Sequence, residues 1–226
     1  MRQVNEINVV DNSTATLDDM PKIHSPFKRH ENSDGDYVVY DEVNEDYEWV
    51  FEEAEKVMAV EKLHGTNVSV VIEDGNITAV FNRENRVPAY PRDKQHQYIM
   101  RGILNSINRG YLDLKDGQWF GELIGPKFHN NPHQVDEHVW IPFQRYARKH
   151  LEYKSYGEYG TDFDSISRWF KEELFSLFYS QWHGTDLDTA SVSNGTFCEG
   201  VMFTHPDGRM AKLRRDMFEW YEGERH

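Results

Sequence analysis

VMAVEKLHGTNVSVVIEDGNITAVFNR, residues Val57–Arg83, is the stretch that decides the fold. VMAVEKL is a largely apolar strand that runs into a glycine turn. NVSVVIE alternates and is rich in β-branched side chains, which suit a pleated, half-buried surface. EDGN follows, and Asp74–Gly75 signals a tight hairpin because glycine reaches positive φ at no steric cost. ITAVFNR then returns as the partner strand.

Toward the C-terminus, Ile99, Ile103 and Ile107 recur every four residues and predict an amphipathic helix from about Tyr90 to Arg109. QWFGELIG reads as the next strand, and VWIPF as a short one that Pro142 confines to an edge or a bend. A second helix is expected from about Asp164 to Trp182. Ile166, Trp169, Phe170, Leu174, Leu177 and Phe178 form its apolar stripe, with Thr161 or Asp162 as N-cap. FCEGVMFTHPDGRMAKLRR closes the pattern as a second hairpin with its turn in HPDG. On the other side, YVVY is a short strand signal, and residues 1–21 are a polar arm containing NSTATLDDMP. Antiparallel hairpins with two substantial helices predict an α+β fold, as one domain over residues 22–226.

Composition narrows the function classes. A length of 226 residues suits one large domain or a domain with an accessory segment. An aromatic share of 14% rules out wholesale disorder. The net charge of −14 argues against a coat of basic charge for loose nucleic-acid binding. It leaves room for a local basic groove, because Arg209, Lys212, Arg214 and Arg215 fall within seven residues. No run approaches the roughly 18 apolar residues of a membrane span, and MRQVNEINVVDNSTATLDD has no apolar core for a signal peptide. A cytoplasmic setting without membrane partners is the expectation. Cys198 is the single cysteine, so neither an internal disulfide nor a cysteine-rich metal site is available.

The chemistry starts at EKLHGTN, Glu61–Asn67, where a lysine at a strand end precedes a glycine turn. Such a turn lets backbone approach a phosphate closely. A lysine there is a phosphate clamp or a nucleophile. With an ordinary pKa near 10.4, about one lysine in 2,500 is neutral at pH 7, so nucleophilic use requires neighbouring cations or desolvation. Taken alone, Lys-x-x-Gly is too short to decide between the two. Its company decides. FNRENR supplies Arg83 and Arg86, WFGELIGPKFHNN supplies Glu122, VWIPF supplies Trp140 and Phe143, CEGVMF supplies Glu199, and MAKLRRDMF puts Lys212 and Arg214 on one strand face.

This ordered set resembles the covalent nucleotidyltransferase superfamily of ATP-dependent DNA and RNA ligases and mRNA capping enzymes. EKLHGTN, GELIGP, EGVMF and AKLRR look like its phage-type, nick-sealing RNA ligase branch, over roughly residues 57–218. The resemblance implies an adenylation-domain fold, with antiparallel sheets flanked by helices and an ATP cleft. It implies a ligase that joins 5′-phosphate and 3′-hydroxyl ends of RNA or another polynucleotide through a lysyl–AMP intermediate, using ATP and Mg²⁺ or Mn²⁺. Lys62 matches the nucleophile. Glu61 and Asn67 flank it and help hold the nucleotide or its hydrated metal. His64 occupies the position that in the family often contacts the outgoing phosphates. Arg83 matches the arginine that orients the nucleotide, with Arg86 as rival. Glu122 matches the ribose-binding glutamate. Phe143 matches the aromatic that stacks on adenine, with Trp140 as rival. Glu199 matches the metal-associated carboxylate, and Lys212 and Arg214 the paired cations of the last motif.

Three features depart from the pattern. Arg214 stands where the family usually has lysine, VWIPF has no Asp after its aromatic, and the sequence ends eight residues after Phe218. The expectation is therefore an adenylation domain without a separate OB or helical C-terminal domain. The alternatives are an adenylyltransferase module that needs a partner chain (an end-healing kinase or phosphatase, or a second subunit) and a catalytically silent nucleotide-binding module. HNNPHQVDEH carries His129, His133 and His138 at a spacing that invites a zinc reading. The resemblance instead places this stretch in a loop after Glu122.

Overall fold

The computed structural model of the chain describes residues 20, 22–154, 156–158, 160–185 and 196–225. Apart from Met20, the expected arm over residues 1–21 lies outside them. The chain divides into two compact units. The split unit joins Lys22–Leu63 to Leu151–His226, and the middle unit comprises Met1–Pro21 and His64–His150. Each has its own apolar core. The described strands are β1 (Phe27–Glu31), β2 (Tyr37–Val43), β3 (Met58–Lys62), β4 (Thr66–Glu73), β5 (Asn76–Asn82), β6 (Asn85–Arg86), β7 (Gly117–Ile124), β8 (Val139–Pro142), β9 (Gly200–Thr204) and β10 (Met210–Arg214). The principal helices are α1 (Lys94–Asn108), α2 (Phe163–Arg168) and α3 (Leu177–His183). No described helix is long and apolar enough to cross a membrane.

In the split unit, β1 and β2 form a two-stranded antiparallel sheet and β10-β9-β3 a three-stranded one. Alternation along the second sheet divides its side chains cleanly. Ala59, Glu61, Val201, Phe203, Ala211 and Leu213 face the core and are all buried. Val60, Lys62, Met202, Lys212 and Arg214 face the other way. The HPDG turn forms as expected, with Gly208 at φ 98°.

The expected second helix is broken. After α2, which Asp162 caps through Ser165 N–H, the chain makes a π turn over Trp169–Glu173. It then leaves the helix at Leu174 and bridges Phe197 through Phe175, where Leu174 O accepts from Cys198 N–H and Ser176 N–H donates to Thr196 O. Helix α3 starts afresh with Ser176 as its N-cap. The apolar stripe continues through the break because Leu174, Leu177 and Phe178 still pack inward. Periodicity therefore reported burial but not the interruption.

In the middle unit the strand order is β6-β5-β4-β7-β8, antiparallel throughout. Asp74 and Gly75 both take positive φ, 50° and 71°, in the two-residue turn between β4 and β5. Pro142 ends the edge strand β8, where a missing N–H is tolerated. Helix α1 is capped by Asp93, whose side chain accepts from His96 N–H. Its buried positions Ile99, Gly102, Ile103 and Ser106 lie against the sheet. A Cβ at Gly102 would meet the Leu123 side-chain methyl Cδ1 at 2.2 Å, so glycine leaves room for that buried leucine under the helix.

Candidate active site

Sheet register builds the site in the split unit. Lys62 pairs with Gly200, and Gly200 pairs with Arg214 on its other side. Directly paired residues share a face, so Lys62 and Arg214 flank a position without a side chain, and Lys212 lies two residues away on the same face. A Cβ on Gly200 would meet Leu213 O at 2.2 Å. Lys62 Nζ donates to Glu199 Oε2 at 2.6 Å, and both side chains are largely covered. Arg214 Nε is ion-paired with Asp216 Oδ1 at 3.1 Å. Burial holds the Lys212 pKa below its ordinary value, helped by the positive charges of Lys62 and Arg214 and opposed by Glu199. Arg29 of β1 adds to the same positive field.

Glu61 points away from this face. It is 3% exposed, accepts from Ser176 Oγ at 2.5 Å and from Phe178 N–H at 2.8 Å, and so braces the start of α3. The expectation that its side chain holds nucleotide or metal gives way to a structural role, because strand alternation sends it into the core. Burial pushes its carboxyl up to about 7 against the hydrogen bonds it accepts. Cys198 is a buried core residue, as expected.

The middle unit gathers a second group. Gly65 lies so close to β7 that a Cβ would meet Leu123 O at 2.2 Å. Its N–H donates to Glu122 Oε1 at 3.0 Å, and the His64 N–H donates to His133 Nε2 at 3.1 Å. These two N–H groups of the glycine turn, expected to face a phosphate, are therefore bound to side chains. Asn67 pairs with Glu122 across β4 and β7, so the two side chains share a face. Asn67 O accepts from the Arg83 N–H at 3.1 Å, and Arg83 sits exposed in the β5–β6 turn at φ 53°. Its rival Arg86 lies in β6 with its guanidinium 5.8 Å from the Phe81 ring centroid.

The aromatic rivals separate by burial. Trp140 is 0% exposed and donates its indole N–H to Val68 O at 3.0 Å, so it is a core residue with no ring face for a ligand. Phe143 is half-buried and opens the π turn after β8. Of the loop histidines, His133 and His138 are buried and the His129 ring lies 4.8 Å from that of His64. No group of three or more His, Cys, Asp or Glu residues suited to a metal ion occurs among the described residues. Sequence reasoning missed Ser176, Gly200 and Arg29, and marked His133 only as a zinc candidate. For Gly200, the signal was a glycine beside Glu199 in a strand. For Ser176 and Arg29, nothing local marked them.

Among solved structures, the chain resembles RNA ligase of Naegleria gruberi. A ligand-free mutant matches at 16% identity and TM-score 0.47, over 72% of this chain and 51% of that one. A mutant with AMP and Mn matches at 15% identity and TM-score 0.46, over 72% and 51%. A form with pyrophosphate matches at 17% identity and TM-score 0.44, over 74% and 52%. The chain thus spans about half the length of these solved relatives. No curated protein matches. The family model described as RNA ligase matches residues 55–218, a span that holds every residue of both groups above except Arg29, and the chain belongs to the RNA ligase family.

Proposed function

We propose that this chain is an ATP-dependent RNA ligase that works through a lysyl–AMP intermediate on Lys62. The observation that carries the reading is the row Lys62–Gly200–Arg214 with Lys212 on the same face, inside the span matched by the family. The wording EKLHGTN supports the phage-type, nick-sealing branch, and residues 22–226 are read as its adenylation domain.

Lys62 Nζ attacks the α-phosphorus of ATP. A phosphorus–nitrogen bond forms, the bond to the bridging oxygen breaks, and pyrophosphate leaves as the amine loses a proton. Lys212 and Arg214 stabilise the negative charge that spreads over the α-phosphate oxygens. Before attack the Lys62 ammonium leaves its ion pair with Glu199 and gives one proton to solvent, because a protonated amine has no lone pair to offer; the proton lost during attack is its second. AMP then passes to a 5′-phosphate end, and a 3′-hydroxyl displaces it to make the phosphodiester. Glu122 accepts ribose hydroxyls, Phe143 stacks on adenine, and Arg83, Asn67 and His64 contact the remainder of the nucleotide.

A divalent cation fits what is present. Mg²⁺ and Mn²⁺ at nucleotide sites take one or two carboxylates and complete their shell with phosphate oxygens and water. Glu199 supplies a hard oxygen donor beside the cationic face. The ion would supply neutralisation of phosphate charge.

A sealing assay tests the whole reaction. A nicked duplex with a labelled 5′-phosphate on one RNA strand is incubated with the protein, ATP and either metal. ATP-dependent appearance of the longer strand on a denaturing gel is expected. Lack of joining by protein that has accepted AMP would refute the ligase reading. A nicked DNA duplex run in parallel identifies the strand preferred.

A further inference from the structure

An unassigned contact lies in the middle unit, in a loop that follows β7. His133 is 3% exposed, and its Nε2 accepts the His64 backbone N–H at 3.1 Å. An imidazole nitrogen accepts only when it carries no proton, so this contact requires the form of the ring with Nε2 bare. The loop that presents it is tightly specified. His129, Asn130 and Asn131 hold consecutive positive φ values of 46°, 57° and 54°, and Gln134 follows at 50°. Asn131 Oδ1 accepts from Val135 N–H at 3.1 Å, and Asn131 Nδ2 donates to Val135 O at 2.8 Å, which closes the chain around His133. Left-handed backbone at non-glycine residues persists where the surroundings over-determine it. The same loop lays the His129 ring against the His64 ring.

We propose that His133 is a positioning residue for adenylation. It holds the His64 backbone, so that the His64 side chain stands where the outgoing phosphates depart. The inference rests on the adenylation chemistry proposed above. It gives a role to a histidine whose spacing had invited a zinc reading. With Glu122 on the Gly65 N–H, the turn is fixed by side chains at two successive peptides. A shift of His64 by a fraction of an ångström weakens charge stabilisation in the transition state more than it weakens ATP binding.

Two variants separate acceptor from bulk. His133→Gln keeps an acceptor, and His133→Phe keeps a buried ring without one. Single-turnover self-adenylation is measured for each beside wild type. For His133→Phe the maximal rate is expected to fall about tenfold or more, with the half-saturating ATP concentration changed less than about threefold. His133→Gln is expected to recover most of the rate. Equal rates in wild type and His133→Phe, or failure of His133→Gln to rescue, would overturn the proposal. A scalar coupling across the hydrogen bond between His64 N and His133 Nε2, sought in ¹⁵N-labelled wild type, tests the contact without any activity or variant. Its absence overturns the proposal as well. If wild type shows the coupling but takes no label from ATP, the adenylation reading fails rather than the contact.

Discussion

Lys62 and Arg214 stand on either side of Gly200 in one row of the three-stranded sheet. The glycine leaves room on the sheet surface, and its neighbours present an amine and a guanidinium on the same face. Gly200→Ala places a methyl group against Leu213 O. We expect a loss of about 1–3 kcal/mol of stability by chemical denaturation. Self-adenylation should fall with it, because the spacing of Lys62 and Arg214 changes. A variant with wild-type stability and rate would show that the approach relaxes freely.

Lys212 is a cation in a partly buried, like-charged setting that holds its pKa down. Lys212→Ala removes a fixed positive charge from the face proposed to bind the α-phosphate. The rate of self-adenylation is expected to drop about 10²–10³-fold, with a much smaller change in ATP affinity. Rapid-quench kinetics over a range of ATP concentrations separates the two.

Glu61 makes stability depend on pH in a defined direction. Its carboxyl is raised from an ordinary 4.5 to about 7, chiefly by burial. A raised acid favours the folded state while protonated, so its contribution is full below about pH 4.5, shrinks as pH rises, and is gone above about 7. Glu61→Gln is neutral at every pH. Urea denaturation should show this variant gaining on wild type between pH 5 and pH 8, by up to about 3 kcal/mol. A difference that stays flat with pH would contradict the assignment.

Phe143 and Trp140 should respond oppositely. Phe143→Ala is expected to raise the ATP concentration needed for half-maximal adenylation roughly tenfold, the scale of a lost base–aromatic stack. Trp140→Phe leaves the Val68 carbonyl without its indole donor and should cost about 1–3 kcal/mol of stability. Its ATP dependence should stay unchanged. Thermal melts beside adenylation kinetics distinguish the two.

Much of this arrangement was legible in the sequence. The hairpin turns at Asp74–Gly75 and HPDG, the Ile99–Ile103 helix face and the edge position of Pro142 all follow from local chemistry. The pairing of Lys62 with Arg214 through Gly200 is long-range register, which no local pattern reports. Glu61 was legible in principle. The alternation Ala59–Glu61 against Val60–Lys62 assigns opposite faces, but the reading let motif adjacency override strand geometry. The break at Leu174 was hidden because the helical and the interrupting backbone both kept its neighbours buried. His133 was hidden because only the fold brings it to His64. The stretch expected as one domain carries two cores, and because one unit draws on both ends of that stretch no single linker marks the division.

Lys62 is the residue proposed to carry the adenylyl group. Purified protein, first freed of any AMP already attached, is incubated with ATP and Mg²⁺ or Mn²⁺ and examined by intact mass spectrometry and peptide mapping, beside Lys62→Ala. Wild type is expected to gain the mass of one adenylyl group, localised to Lys62, sensitive to added pyrophosphate, and missing from Lys62→Ala. Folded wild type that stays unmodified with either metal, or a label that survives in Lys62→Ala, would contradict that proposal.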